Sequence, residues 1–439
     1  MAKKDNLFSG AIALAIGGLI TKVIGALYRI PLTNLLGAEG IGIYQMVFPL
    51  YCLLLTVSST GVPNGIAKLI AEGNDAETTL KSALKLFIPI GIIGSLVMAI
   101  FSNKIATLQG NSLATKSYIF ISPSVLAVSV ISCFRGYYQG LLDMKPTAIS
   151  QVLEQVIKLI FGLSLTYAFR NKVAIGASMA TLAVTLSELG VVGYFIFLKR
   201  KSGFQFLKST KCNVKPILKN VLPITLTTII MPLTRTIESF IILNVLNGYL
   251  TNATSLYGLY SGAVESLVGV PVAILYSIAV TAVPVISKEG ENKYKKIKKP
   301  LILTLLTATI FALFFFIFSK FAVNILYRGL SFSDKSITIK MAKLASLSVL
   351  FLPIMQTFSA CLIACGHLYL PSITSLIASI LKVILTFLLL KVKTINIFAV
   401  IITDIFCYLV ACLLNLVYTL SIRKSGDNNE QINGNRLRL

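Results

Sequence analysis

Pro300–Ser319 reads PLILTLLTATIFALFFFIFS, twenty residues with no charge among them. Twenty helical residues span about 30 Å, the thickness of a bilayer's hydrocarbon core. Runs of this kind recur from end to end, parted by short polar breaks. The chain is 56% hydrophobic and only 13% charged, whereas a soluble domain is about 25% charged. Together these features predict an all-α polytopic membrane protein. Alternating strand patterns are absent, which argues against a β-barrel.

Twelve spans are expected, near 7–30, 41–62, 82–101, 117–139, 147–168, 174–198, 218–246, 256–286, 301–319, 337–364, 372–391 and 395–421. The longest polar break, KRKSGFQFLKSTKCNVKP (Lys199–Pro216), divides them. It leaves a six-helix lobe over 1–200, a linker over 201–217, a second six-helix lobe over 218–422 and a polar tail over 423–439.

Three segments recur in register, about 220 residues apart. IAKLIAEG (Ile66–Gly73) matches VPVISKEG (Val283–Gly290), and FSNKIATLQG (Phe101–Gly110) matches FSKFAVNILYRG (Phe318–Gly329). GLLDMKPTAISQVLEQVIK (Gly140–Lys158) matches GHLYLPSITSLIASILK (Gly366–Lys382). An even number of spans per copy gives both copies the same orientation, the parallel-repeat plan of alternating-access carriers. FRGYYQGLLDMKP (Phe134–Pro146) then reads as the corner between spans four and five, with Pro146 opening the next helix.

The net charge of +24 does not point to nucleic acid, because its placement is one-sided. Lysines crowd Lys199–Pro216 and SKEGENKYKKIKKP (Ser287–Pro300), while PLTNLLGAEG (Pro31–Gly40) and NGYLTNATS (Asn247–Ser255) carry none. This positive-inside pattern puts both termini and the central loop in the cytoplasm, against anionic lipid. The first run begins after Lys3 and Lys4 but holds Lys22 and Arg29, so it reads as a retained helix and not as a cleaved signal. Trp is absent, so interfacial anchoring is expected of Tyr28, Tyr118 and Tyr194. The seven cysteines stand singly and His367 is the only histidine, which argues against a zinc site. No cofactor is expected.

Ionised groups inside a span are costly and normally face an interior cavity. Lys22 and Arg29 share a face of the first span. The fifth presents Gln151, Glu154, Gln155 and Lys158, and its repeat mate, the eleventh, keeps Lys382. Arg235 and Glu238 in the seventh span are three apart and able to pair. Glu188, Glu265 and Asp404 read as lone acids in the sixth, eighth and twelfth. Two readings stay open, helix-locking pairs and a hydrated central cavity, cationic on its first-span side. The pattern favours the cavity. Prolines within or beside the spans, Pro49, Pro89, Pro232 and Pro353 among them, suit helices that bend.

LYRIPLTNLLGAEGIGIYQMVFPLYCLLLTVSSTGVPNGIAKLIAE (Leu27–Glu72) and FRGYYQGLLDMKPTAISQVLEQVIK (Phe134–Lys158) resemble the polysaccharide-transporter branch of the MOP exporter superfamily. The likeness is to its stage V sporulation protein B type and, more distantly, to MurJ-like lipid II flippases. It implies two six-helix lobes in a MATE-like V, around a cavity that opens to each side in turn. It also implies an undecaprenyl-linked saccharide as cargo, either lipid II of peptidoglycan or a surface polysaccharide unit. Basic residues of the first helix line the cavity in the MurJ type, which carries over to Arg29. Members of the branch usually have fourteen spans where twelve are expected here, leaving room for a lipid-linked glycan other than lipid II.

On this reading Lys22, Arg29 and Arg235 are the cavity cations that bind cargo. Gln151, Glu154, Lys158, Glu188, Glu238, Glu265 and Lys382 are the polar or ion-coupling positions. No phosphate-binding loop is present. The drive is then the membrane potential, or exchange of H+ or Na+ on an interior acid, and both stay open. Envelope-synthesis enzymes are the natural partners. The rivals are a MATE-type antiporter of drug or metabolite cations, a membrane enzyme, and a scaffold of envelope or spore-cortex assembly. Short outer loops without paired carboxylates weigh against the enzyme.

Overall fold

Hydrocarbon offers no partner to backbone N–H and C=O groups, so apolar runs close their hydrogen bonds within helices. A computed structural model describes residues 2–59, 61–201, 213–287, 293–367 and 369–436. Within these, side chains are described from Gly17 to Leu420, except at 19, 22, 26, 57–59, 227, 280–282, 284, 285, 287 and 293–296. Every long regular element among the described residues is helical.

Helix α1 covers Ala2–Ser59 and is broken at Gly37, where φ is 66° and ψ is −174°. Its 58 residues run to about 87 Å, close to three bilayer cores. A helix of that length outruns a single bilayer crossing, and the break divides it. Pro31–Gly40, expected as an open connection, is instead helical on both sides of Gly37. Glycine alone takes that backbone conformation without a Cβ penalty.

The following helices are α2 (Gly61–Ala71), α3 (Ala76–Ile100), α4 (Ser102–Gln109), α5 (Thr115–Gly140), α6 (Lys145–Ala168) and α7 (Val173–Lys201). Then come α8 (Lys215–Thr228), α9 (Ile230–Asn247), α10 (Ala253–Gly258), α11 (Glu265–Ser287) and α12 (Lys293–Leu326). The last three are α13 (Phe332–Ala364), α14 (Leu370–Leu390) and α15 (Phe398–Arg436). Ten helices among the described residues are long and apolar enough to cross a membrane, or eleven if α8 and α9, bent by 51°, form one crossing. Twelve were expected; α1, broken at Gly37, is where the expectation placed two separate spans. A π-helical stretch, Leu259–Val264, joins α10 to α11.

The corner before Pro146 is tighter than expected. Phe134–Gly140 is the end of α5, and only Leu141–Met144 turn. Leu142 takes φ 61° there, and the amides of Leu142 and Asp143 reach back to the Gln139 and Tyr138 carbonyls.

Contacts group the chain into two compact units: 1–266 with 323–338, and 267–322 with 339–439. In the first, α1 packs on α5, α6 and α7. A Cβ added at Gly17 would lie 3.2 Å from Ala148 Cβ, one at Gly25 3.5 Å from Gln155 Oε1, and one at Gly162 against the Tyr28 ring. The matched positions rise together along both helices, so α1 and α6 run parallel at small-residue distance. Phe134 stacks on Phe195 at 5.3 Å, within a core that includes Val62, Ile66, Leu80 and Val221. Outside the spans, Asp75 caps α3 by accepting from the Thr78 amide at 2.7 Å. Hydrogen bonds from Thr78 hold that carboxyl below its usual range.

In the second unit α14 lies along α15. Hydroxyl and amide pairs join them: Thr386 to Thr403 at 2.8 Å and Thr374 to Asn415 at 2.8 Å.

Candidate functional site

On α6, Gln151, Glu154, Gln155 and Lys158 fall at i, i+3, i+4 and i+7, one face of the helix. Beside them runs α1, which brings Tyr28 and Arg29. Tyr28 is 2% exposed; with Tyr118, also buried, it is a core residue and not the interfacial anchor expected. The Lys158 ammonium lies 6.0 Å from the Tyr28 ring centroid. Arg29 is half-buried and directs Nη1 towards the hydroxyl of the buried Ser266, at 3.5 Å. Among the described residues no carboxylate comes within 4.0 Å of Arg29 or Lys158. The oxygens around them also lack partners, since Tyr28 Oη, Gln151 Oε1 and Gln155 Oε1 are buried and accept nothing.

One turn before Lys158, Glu154 accepts from Arg135 Nη2 at 3.1 Å, and Arg135 Nε donates to Ser150 Oγ at 3.0 Å. The α5–α6 corner makes this pair, by folding the end of α5 back beside the start of α6. Arg135 went unrecognised as a site residue because its stretch read as a loop. The signal available was an arginine set shortly before a helix-opening proline.

Glu188 on α7 is 3% exposed. Tyr51 of α1 donates its hydroxyl to Oε1, while Oε2 has no partner. Glu265 meets Arg235 Nη1 at 3.5 Å and accepts from Ser261 Oγ at 3.3 Å. In the second unit Asp404 Oδ1 sits 2.6 Å from Lys382 Nζ, with both side chains about nine-tenths buried. The three acids expected to stand alone therefore all have partners. Tyr51, Arg235 and Lys382 each come from another helix, which spacing along one helix does not reveal. Glu238 is buried on α9. The side chain of Lys22 lies outside the described residues.

The first unit thus brings together Arg29, Arg135, Lys158, Glu154 and Glu188, with Tyr28 and Tyr51 between them. Three cations face two acids, a balance suited to holding an anion.

The family model described as polysaccharide biosynthesis protein matches residues 7–290, well over half of the chain. The chain belongs to that family. Stage V sporulation protein B of Bacillus subtilis (strain 168) is a family relative, 27% identical over 349 residues, which are 74% of this chain and 67% of that protein. Lipid II flippase MurJ of the same organism is 29% identical over 218 residues, covering 45% of this chain and 40% of MurJ. Solved structures show the fold. An inward-closed lipid II flippase MurJ aligns with TM-score 0.74 at 17% identity, over 93% of this chain and 87% of that one. An inward-facing multidrug resistance MATE family transporter of the MOP superfamily aligns with TM-score 0.70 at 14% identity, over 92% and 96%. The family member described here therefore has the fold of MOP-superfamily transporters and flippases.

Proposed function

We propose that the chain is a flippase of the bacterial cytoplasmic membrane, carrying a prenyl-linked saccharide precursor from the inner to the outer leaflet by alternating access. One observation carries the reading: Lys158 lies 6.0 Å from the buried Tyr28 ring, Arg29 follows Tyr28 on α1, and among the described residues neither has a carboxylate in ion-pair reach. A cation inside a membrane span costs free energy that a counter-anion relieves. The diphosphate joining a prenyl tail to its sugar supplies two negative charges, one for each cation. The unpartnered oxygens of Gln151, Gln155 and Tyr28 suit sugar hydroxyl donors. Family membership and the names of the relatives support a saccharide cargo of this kind. The lysine-rich stretches support a cytoplasmic position for both termini and the central loop. The membrane potential then drives the anion outward, by about 2.3 kcal/mol per charge per 100 mV.

The test is leaflet transfer of a labelled prenyl-diphosphoryl disaccharide in proteoliposomes. Transfer is expected, and an Arg29→Ala/Lys158→Ala variant should slow it at least about tenfold, the effect of roughly 1.4 kcal/mol. Unchanged transfer in that variant removes the reading.

Likeness to the MATE transporter favours a second reading, export of a cationic compound. Glu154, Glu265 and Asp404 already face Arg135, Arg235 and Lys382, so a cationic cargo would have to displace fixed cations. Drug efflux without lipid transfer would reverse the ranking.

A further inference from the structure

Glu188 stands apart from Glu154, Glu265 and Asp404, each of which has an arginine or lysine within 4.0 Å. Among the described residues Glu188 has none, although its side chain is almost wholly enclosed. From α1, Tyr51 donates to one oxygen, with Cys52 beside it and Arg29 further along that helix. From α5 come Ser124, bonded to Thr185 at 2.9 Å, and Arg135, already engaged by Glu154. From α6, Glu154 and Lys158 act on it as charges. Oε2 is left without a donor or an acceptor.

We propose that Glu188 is a proton-binding site linked to cargo. Its carboxyl takes up one proton when an anionic diphosphate headgroup engages Arg29 and Lys158, and gives it back when the headgroup leaves. The inference rests on the flippase reading. Without cargo, the Lys158 ammonium is a countercharge for the Glu188 carboxylate across the α6–α7 contact. A diphosphate takes that countercharge for itself and adds negative charge nearby. An enclosed carboxylate left beside Glu154 and the new anion is then the costlier form. The proton comes from water on the side to which the site is open, and the one bond made is O–H on Glu188. Binding couplings are reciprocal, so the headgroup must bind more tightly when Glu188 is protonated. Its affinity is full on the acid side of the Glu188 titration and falls as pH rises through it.

The experiment uses the full chain in nanodiscs and a farnesyl-diphosphoryl N-acetylhexosamine, whose diphosphate diester carries one strongly acidic oxygen on each phosphorus and so keeps its charge through the neutral range. Calorimetry in buffers of different ionisation heat counts protons taken up per headgroup bound. At a pH on the alkaline side of the cargo-free Glu188 midpoint, uptake approaching one proton is expected for the wild type, with none for Glu188→Gln. The affinity of that variant should stay at the wild type's acid-side level at every pH. Tyr51→Phe removes the hydrogen bond donated to the carboxylate and should move the wild-type midpoint up by about one pH unit. Binding without uptake overturns the linkage and leaves the flippase reading standing. So does a Glu188→Gln profile that still follows the wild type. Should Glu188→Gln not fold, an unmoved midpoint in Tyr51→Phe overturns it equally. Failure of the wild type to bind the probe takes down both readings.

Discussion

Lys158 and Lys382 close matching segments of the two halves, yet their surroundings are opposite. Lys382 is held 2.6 Å from Asp404 on the neighbouring helix, in a dry seam laced by the Thr386–Thr403 and Thr374–Asn415 bonds. Lys158 has the Tyr28 ring at 6.0 Å and, among the described residues, no carboxylate within 4.0 Å. A paired lysine in hydrocarbon holds helices together; an unpaired one is held ready for a ligand. On the proposed reading the two matching helices serve different ends, structural in α14 and binding in α6.

Stability measurements break or sharpen this contrast, and the largest effect is expected at Asp404. Asp404→Ala strips the carboxylate from a buried ammonium and should cost about 3–5 kcal/mol in thermal unfolding, while Lys382→Met/Asp404→Leu should recover most of it. Lys158→Met breaks no close ion pair among the described residues, only the longer-range countercharge to Glu188, and should cost less than half as much as Asp404→Ala. Equal losses at the two lysines would erase the distinction. At intermediate depth, Arg135→Ala leaves a half-buried Glu154 without its guanidinium and should cost about 1–2 kcal/mol. A loss there as large as at Asp404 would mean that depth is not what ranks these pairs. The smallest effect is expected at Asp75, a capping carboxylate outside the bilayer, where Asp75→Ala should cost about 1 kcal/mol. Hydrogen bonds from Thr78 hold the folded carboxyl below the usual carboxylate range. The cap's contribution is therefore present above about pH 4 and fades as pH falls further, so wild type and variant should converge in acid.

Hydropathy alone placed the ends of most spans within a few residues, because bilayer thickness sets their length. It did not show that Pro31–Gly40 is helical around Gly37, since one left-handed residue suffices to turn a helix and leaves no polar gap. The face of α6 could be read from the spacing of Gln151, Glu154, Gln155 and Lys158. The partners of those residues could not. Arg135 reaches Glu154 across 19 positions, and Tyr51 reaches Glu188 across 137. Such pairs depend on how each helix is rotated in the bundle, and many side chains share in setting that rotation. Tyr28 was misread for the same reason: a tyrosine near the end of an apolar run suits an interface or a core, and here the absence of a side chain at Gly162 decides for the core.

The seam between α1 and α6 has a mechanical consequence. Where Gly17 meets Ala148, and Gly162 meets Tyr28, main chain nearly touches its neighbour, so neither helix can roll or slide without collision. The guanidinium and the ammonium are thereby mounted on one stiff rod. The separation of their helices is kept by backbone, so an anion gripped by both, as proposed, would travel with that rod as a unit.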